Sequence, residues 1–351
     1  MVPMRIPSVI VLTFVLCCMC GAQAQPAAPV ALTAIAQQPA PPAQSATPSN
    51  PGSRPADAAA PSNSNASPED VGPVETFVRR VDLKNVIFTV TDKHGRFVKD
   101  LKQDQIKVLD NNKPPRQVVN FEAQTDLPLR VGLLIDASNS IRERFLFEQQ
   151  AAVEFLHQIV RPHSDQAFVL SFDEVPEVTQ EFTSDLDKLT AGVRIIRPGG
   201  GTAMWDAVFY ACRDKLMKEK TNTPVRRAII LVSDGDDNQS RVLRQEAIEM
   251  AQRAEVIVYT ISTNLSNIHD TGDHNLQILA EATGGRAFFP FKLQDLSDAF
   301  NDIQGELRSQ YSITYKPEDF ATNGAFRAIQ ILADNKKLRV RASKGYYAPK
   351  R

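Results

Sequence analysis

Two kinds of hydrophobic pattern alternate through the middle of this chain. Residues 131–135 and 228–232 are apolar without interruption, which predicts strands buried on both faces. Residues 142–159 instead place their apolar side chains on one face of a helix. Strands that alternate with helices predict a mostly parallel sheet with both faces covered, which is a doubly wound α/β domain. The same reasoning predicts further strands at 166–172, 177–182, 256–262 and 286–289, and further helices at 186–196, 204–218, 242–254, 276–282 and 295–307.

The segments on either side of this domain have strand patterns separated by turns. Neither segment alone supplies the roughly seven strands of an immunoglobulin-like sandwich. We therefore predict that the two segments fold together into one β-sandwich, with the α/β domain inserted between them. The predicted strands are 85–91, 97–98, 105–109 and 117–121 before the domain, and 310–315, 325–332, 338–341 and 345–347 after it.

The first residues have the features of an export signal. Arg5 precedes an apolar run at 9–16, and Ala22-Gln23-Ala24 offers small residues for cleavage. The run is shorter than the ~20 residues that span a bilayer, so we predict a cleaved signal and a secreted, periplasmic or cell-envelope protein. An uncleaved membrane anchor and a lipoprotein are the alternatives. The predicted domains are a signal peptide at 1–24, a disordered Pro/Ala/Ser-rich linker at 25–72, the N-terminal β segment at 73–125, the α/β domain at 126–309 and the C-terminal β segment at 310–351.

Charge and cysteine content narrow the functional classes. The formal net charge is -1, so the chain lacks the basic surplus of a nucleic-acid-binding protein. Three of its 4 cysteines lie in the predicted signal, which leaves Cys212. We therefore expect no internal disulfide, and a fold that depends on its hydrophobic core. Cys212 itself is predicted to be a small buried residue of a helix.

Candidate chemistry begins where the first central strand ends. Asp136 terminates that strand, and Ser138 and Ser140 follow at alternate positions. Ligands of open α/β sheets bind beyond the carboxyl ends of the strands, and these hard oxygen donors suit Mg²⁺ better than zinc. Two ordinary explanations compete: Ser140 and Glu143 fit a helix capping box, and Asp136 and Ser138 fit turn residues that bond their own backbone.

Two later stretches favour the metal site. A glycine-rich loop at 199–201 presents Thr202, and a second buried strand ends at Asp234. The order D-x-S-x-S, then Thr after glycines, then Asp at a strand end resembles the metal-ion-dependent adhesion site (MIDAS) of von Willebrand factor type A (VWA) domains. The resemblance covers residues 128–309, with Asn139 standing where glycine is frequent. The matching positions are Asp136, Ser138, Ser140, Thr202 and Asp234.

The layout also resembles a subgroup of exported bacterial proteins called VWFA-related. The matching stretches are VTDKHGRFV at 90–98, LLIDASNS at 133–140 and VRASKGYYAP at 340–349.

The resemblance implies a site that binds a cation and then a partner. In that family the serines ligate the metal directly, the threonine directly or through water, and the aspartates largely through water. The inner shell then carries little negative charge, and one coordination position accepts a carboxylate from a partner. The implied function is a non-enzymatic adhesion or assembly module that uses Mg²⁺, or Mn²⁺ or Ca²⁺, and binds a protein through Asp or Glu.

Other readings of the same residues remain open. The cation could activate water in a metal-assisted hydrolase, with Asp234 or Asp237 as general base, or it could be purely structural. Asp236 and Asp237 could hold a second cation, and His269 and His274 a transition metal, but the sequence favours charged turn residues for the first pair and a solvated surface loop for the second. Near the site, Trp205 is predicted to be a core anchor, and Asp206 is predicted to cap a helix or to form hydrogen bonds near the Thr202 loop.

Overall fold

The chain contains thirteen strands and six helices among the residues that the computed structural model describes, which are 83–124, 126–139, 145–221, 224–264, 268–290 and 292–350. The predicted signal and linker lie outside this range. The strands are β1 Lys84–Thr91, β2 Ile106–Asp110, β3 Gln117–Gln124, β4 Leu129–Asp136, β5 Gln166–Phe172, β6 Pro176–Thr183, β7 Arg226–Ser233, β8 Val256–Ser262, β9 Ala287–Phe288, β10 Gln310–Lys316, β11 Phe326–Ala333, β12 Arg339–Ala342 and β13 Gly345–Tyr347. The helices are α1 Phe145–Ile159, α2 Leu186–Arg194, α3 Met204–Tyr210, α4 Arg244–Arg253, α5 Thr271–Thr283 and α6 Leu293–Leu307.

A six-stranded sheet in the order β6-β5-β4-β7-β8-β9 forms the centre of the α/β domain. Every pairing in it is parallel except that of β6 with β5. Side chains of β4 alternate between two cores: Leu133 packs with α1 and α6, and Leu134 with α3, α4 and α5. The predicted doubly wound, mostly parallel sheet is therefore confirmed.

Close packing explains the glycine inside β4. A Cβ on Gly132 would lie 2.5 Å from the Phe168 ring on the neighbouring strand β5. Burial of Phe168 therefore requires a residue without a side chain here, and the apolar run can contain a glycine in spite of its low strand propensity.

The flanking segments build two antiparallel sheets, in the orders β12-β1-β10-β3 and β13-β11-β2. Each sheet combines strands from both ends of the described chain, because β1 pairs with β10 and β2 pairs with β11. Their apolar faces share one core, in which Phe88 stacks on Tyr311 with ring centroids 5.6 Å apart. The predicted sandwich of N- and C-terminal segments is confirmed.

Several predicted boundaries are wrong for local reasons. Residues 97–98 form only an isolated bridge of Phe97 to Thr91. The helix predicted at 204–218 is α-helical only to Tyr210 and continues as a π-helical turn over Ala211–Leu216. The helix predicted at 276–282 begins at Thr271, because Asp270 caps it by accepting a hydrogen bond from the Asp273 backbone. None of the helices in the described ranges is both long and apolar enough to cross a bilayer.

Candidate functional site

Asp136 is the last residue of β4 and lies fully buried at the carboxyl edge of the sheet. One carboxylate oxygen, Oδ1, accepts a hydrogen bond from the Ser138 backbone at 2.8 Å. The other, Oδ2, accepts one from the Ser233 hydroxyl at 2.6 Å. Parallel pairing of β4 with β7 places Ser233 beside Asp136, so the two strand ends form one polar cluster.

Burial raises the pKa of the Asp136 carboxyl to about 6, and the neighbouring charge of Asp234 acts in the same direction. The hydrogen bonds from Ser233 and Ser138 oppose this shift. The ionised carboxylate is therefore poorly solvated in the protein alone. A cation nearby would offset the lost solvation.

The glycine loop reaches the end of β4 through backbone hydrogen bonds. Gly199 N–H donates to the Ala137 carbonyl at 2.6 Å, and Asn139 N–H to the Gly200 carbonyl at 3.4 Å. Gly200 has a φ of +69°, in the left-handed region that favours glycine. These contacts bring the loop against the two residues that flank Ser138.

Thr202 is held from the opposite side by the loop that follows β7. Its N–H donates to the Asn238 side chain at 3.0 Å, and its carbonyl accepts from the Asn238 N–H at 3.0 Å. The Thr202 side chain is almost buried, with 4% of the residue exposed. Its hydroxyl is therefore a candidate oxygen ligand at a nearly buried position.

Asp234 and Asp237, which follow β7, make different contacts. Asp234 is half-buried, and its Oδ1 accepts a hydrogen bond from the Asp236 N–H at 3.2 Å. Asp237 accepts hydrogen bonds from the Trp205 N–H at 3.0 Å and the Ser240 hydroxyl at 2.6 Å. Asp237 therefore fixes the start of α3, which argues against its use as a general base or as a ligand of a second cation.

The structure brings four of the five predicted ligands to one edge of the sheet. Asp136, Ser138, Thr202 and Asp234 converge there through the contacts above, and they offer only oxygen donors, as a hard cation requires. The fifth, Ser140, lies outside the described residues, as does the capping box that it could form with Glu143. The role of the set as metal ligands stays a prediction.

Sequence reasoning missed two residues that support the site. Ser233 bonds the Asp136 carboxylate, and Asn238 fixes the backbone of Thr202. The position of Ser233 could have been inferred, because parallel neighbours end in register and it directly precedes Asp234. Nothing in the local sequence marks Asn238, whose partner lies 36 positions away.

The other singled-out residues have structural roles. Trp205 is buried in the core with α3, as predicted. Asp206 lies within α3 and caps none of the described helices, but it accepts hydrogen bonds from the backbones of Arg241 and Val242, which agrees with the second of its two predicted roles. Cys212 is fully buried, and burial raises the pKa of its thiol well above the ordinary range.

The two histidines of the candidate transition-metal site have separate contacts. His269 is paired with Asp273, with 3.1 Å between Nδ1 and Oδ2, and its ring packs against Phe289. His274 lies on α5, where its backbone N–H bonds the Asp270 carbonyl. In the described ranges, no three His, Cys, Asp or Glu side chains are placed to hold a metal ion together.

Comparison with known proteins gives one family match and several structural similarities. The family model of the von Willebrand factor type A domain matches residues 131–306. No curated protein matches the chain in sequence.

Three solved structures illustrate the similarities. Proximal thread matrix protein 1 from the mussel byssus, described with a zinc-occupied MIDAS motif, is 16% identical with a TM-score of 0.46, and the match covers 56% of this chain and 50% of that chain. The vWF domain of the type V pili tip protein Mfa5 from Porphyromonas gingivalis is 16% identical with a TM-score of 0.43, covering 52% and 95%. The protein BatB from Bacteroides thetaiotaomicron is 17% identical with a TM-score of 0.42, covering 52% and 100%. This chain thus spans about half the length of the mussel protein.

The family match covers half of this chain and coincides with the α/β domain. It begins within β4 and ends within α6, so it encloses the six-stranded sheet almost completely and contains Asp136, Thr202 and Asp234. The chain belongs to the von Willebrand factor type A domain family.

Proposed function

We propose that this protein is an exported, non-enzymatic adhesion or assembly module that binds a divalent cation, and through it an acidic side chain of a partner protein. The observation that carries the proposal is that the buried Asp136 carboxylate, Ser138, the nearly buried Thr202 and Asp234 lie at one edge of the central sheet. Hydroxyl and carboxylate oxygens are the ligands that Mg²⁺, Mn²⁺ and Ca²⁺ take.

Each residue of the proposed site has a distinct task. Ser138 and Thr202 supply neutral oxygens, as Ser140 does in the predicted set, and Asp136 and Asp234 supply the negative charge. The Ser233 hydroxyl and the Ser138 N–H hold the Asp136 carboxylate in a fixed orientation. When bound, the cation supplies an electrophilic position for a carboxylate of the partner. If the hydroxyls ligate the ion directly and the aspartates largely through water, as the family resemblance implies, the inner shell carries little negative charge and an acidic partner group is favoured over a neutral one.

Hydrogen bonding around the site supports binding over hydrolysis. A hydrolase at this position needs a general base within reach of a metal-bound water. Asp237, one of the two candidate bases, is engaged by the backbone of Trp205 and by Ser240. Export to the cell envelope or beyond is the location proposed from the predicted signal at 1–24, and it suits a protein that meets its partner outside the cell.

Titration calorimetry of the full chain with Mg²⁺ and with Mn²⁺ tests the first step. We expect binding by the wild type and none by Asp136→Ala, while Asp302→Ala on the exposed surface of α6 binds as the wild type does. Absence of binding in the wild type, or unchanged binding in Asp136→Ala, contradicts the proposal. Turnover by the loaded protein on phosphoester or peptide substrates would favour the hydrolase instead.

A further inference from the structure

A groove lies between the first helix of the α/β domain and the segment that follows α2. Its walls are α1 on one side and residues 194–198 on the other, and its volume is about 490 Å³. The Gln149 side chain joins the two walls by donating hydrogen bonds to the carbonyls of Val193 and Ile196, at 2.7 and 3.3 Å. The groove, called the arginine groove below, therefore has a floor that is held by buried hydrogen bonds.

One end of the arginine groove adjoins the candidate cation site. Pro198 lines the groove, and the next residue, Gly199, donates its N–H to the Ala137 carbonyl at 2.6 Å. Ala137 stands between the predicted ligands Asp136 and Ser138. A partner segment whose carboxylate reaches the cation can therefore continue directly into the groove.

The lining of the arginine groove is apolar and basic. Among the residues that the structure describes, no carboxylate lines it, and neither Arg194 nor Arg197 forms an ion pair. Arg197 donates hydrogen bonds to the carbonyls of Arg194 and Ile196, at 2.6 and 2.9 Å. The carbonyls at the end of a helix carry only about half a negative charge together, so two exposed guanidinium groups leave the groove net positive. The apolar residues of the lining are Phe145, Leu146, Val153, Ile196 and Pro198.

We propose that the arginine groove binds an acidic, amphipathic stretch of the partner, which carries an apolar side chain and a second Asp or Glu beside the residue captured by the cation. This inference rests on the proposed function. Leu146, with 81% of the residue exposed, gives an apolar side chain a surface to cover. Arg194 and Arg197 suit a carboxylate, because guanidinium groups bind carboxylates through paired hydrogen bonds. A lysine or arginine of the partner is repelled from the same position.

The length of the arginine groove limits the length of the stretch that it binds. Phe145 and Val153 lie eight positions apart on α1, which corresponds to about 12 Å along a helix. An extended chain covers this distance in about four residues. We therefore expect the apolar residue and the second acidic residue within about four positions of the captured one, both on the same side of it in the partner sequence.

Selection from a random dodecapeptide library displayed on phage tests the groove and the cation site separately. Full-length protein is immobilised with Mg²⁺, and bound phage are eluted with EDTA. From the wild type we expect peptides with one Asp or Glu and, at a fixed spacing from it, an apolar residue and a second Asp or Glu. The double variant R194Q/R197Q should still select the first acidic residue but lose the second. A synthetic peptide selected on the wild type should bind this variant about fivefold more weakly, the effect of one or two partly exposed charge pairs.

Controls separate the arginine groove from general attraction of an acidic peptide to a basic protein. R96Q/R116Q removes two exposed arginines from the sandwich and changes the net charge equally. This variant should select the same peptides as the wild type and bind the synthetic peptide with the same affinity. Leu146→Ser should reduce the enrichment of the apolar residue and keep both acidic positions. An unchanged melting temperature shows that each variant is folded.

Three outcomes overturn the groove proposal. Enrichment of one acidic residue without the second, or the same second acidic residue in R194Q/R197Q, removes it and leaves the proposed function standing. If the wild type yields no EDTA-eluted peptides, the proposed function fails and this inference fails with it. Sedimentation of the full chain tests a second copy as the occupant, because a dimer that dissociates in R194Q/R197Q would assign the groove to self-association instead.

Discussion

Asp136 is fully buried, and the effect of burial on its carboxyl pKa exceeds that of its two hydrogen bonds, which makes the metal-free protein sensitive to pH. Its carboxyl pKa is about 6 in the folded state against 3.8 for the ordinary value. As pH rises from about 4 to about 6, the unfolded chain loses this proton before the folded one does, so stability falls over that window and stays low above it. The difference between these two pKa values corresponds to a loss of roughly 3 kcal/mol in the free energy of unfolding.

Replacing Asp136 by Asn removes this penalty. Asn can still accept the Ser138 N–H bond, and it carries no charge to desolvate. We expect metal-free Asp136→Asn to be more stable than the wild type at pH 7, by about 2–3 kcal/mol, and nearly equal to it at pH 4. Urea unfolding in EDTA at both pH values measures the difference. Equal stability of the two proteins at pH 7 would contradict the assigned burial of an ionised carboxylate.

Thr202 contributes to the proposed site through its hydroxyl alone, because its backbone bonds to Asn238 do not depend on the side chain. Thr202→Val should therefore keep the fold and weaken Mg²⁺ binding on the order of tenfold or more, the range found when metal sites lose a supporting group. Thr202→Ser retains the oxygen and is the matched control. Calorimetry that gave the two variants equal affinities would remove Thr202 from the ligand set.

At the scale of elements, the sandwich is joined by a buried carboxylate. Asp110 ends β2, and its side chain accepts hydrogen bonds from Tyr315 on β10, Tyr346 on β13 and Arg327 on β11, at 3.1, 2.9 and 2.8 Å. One side chain from the N-terminal segment thus binds three strands of the C-terminal segment. The bonds explain how strands more than 200 positions apart keep a unique pairing.

Asp110→Ala should destabilise the protein by about 3–5 kcal/mol, because it leaves the Arg327 guanidinium buried without its counter-charge. The exposed ion pair of Lys107 on β2 with Asp334, which directly follows β11, provides the control. Asp334→Ala should change stability by less than about 1 kcal/mol. Equal effects of both substitutions on urea unfolding would show that the buried network is not what holds the sheets together.

The sequence predicts best those elements whose hydrophobic pattern is compatible with only one kind of secondary structure. The continuous apolar runs of β4 and β7 are long enough for buried strands and too short for ordinary helices, so their assignment was confirmed. The boundary of α5 was not predictable from periodicity, because Asp270 and the polar first turn look like a loop until the cap is seen. The π-helical turn after Tyr210 leaves no pattern that differs from an α-helix.

The residues of the candidate site also differ in how well the sequence predicts them. Asp136 and Asp234 are identified by where their strands end, which is a local property of sequence. These two residues are close together because β4 and β7 are neighbouring strands. The alternation of strands and helices in the sequence is compatible with this strand order but does not determine it. Asn238 was missed because it acts by forming hydrogen bonds with the backbone of Thr202. The sequence does not distinguish such an asparagine from any other asparagine in a loop.

At the scale of the whole molecule, Glu306 connects the inserted domain to the sandwich. It lies at the end of α6 with 1% of the residue exposed. It accepts hydrogen bonds from Tyr259 on β8 at 3.0 Å and from Thr89 on β1 at 3.3 Å, and it forms an ion pair with Arg341 on β12. Because the Glu306 carboxylate has hydrogen-bond and ion-pair partners in both domains, its contacts favour cooperative unfolding of the two domains.

We expect the wild type to unfold in a single transition, and Glu306→Ala to separate it into two. Trp205, the only tryptophan, reports the inserted domain by fluorescence, while circular dichroism reports all of the strands and helices. In Glu306→Ala the two signals should have different midpoints, and total stability should fall by about 3–5 kcal/mol because Arg341 loses its buried partner. Asp302 lies on the same helix as Glu306, and Asp302→Ala breaks only an exposed ion pair with Arg286, so its two signals should coincide and its midpoint should stay near that of the wild type. Coincident signals in Glu306→Ala would mean that apolar packing alone couples the two domains.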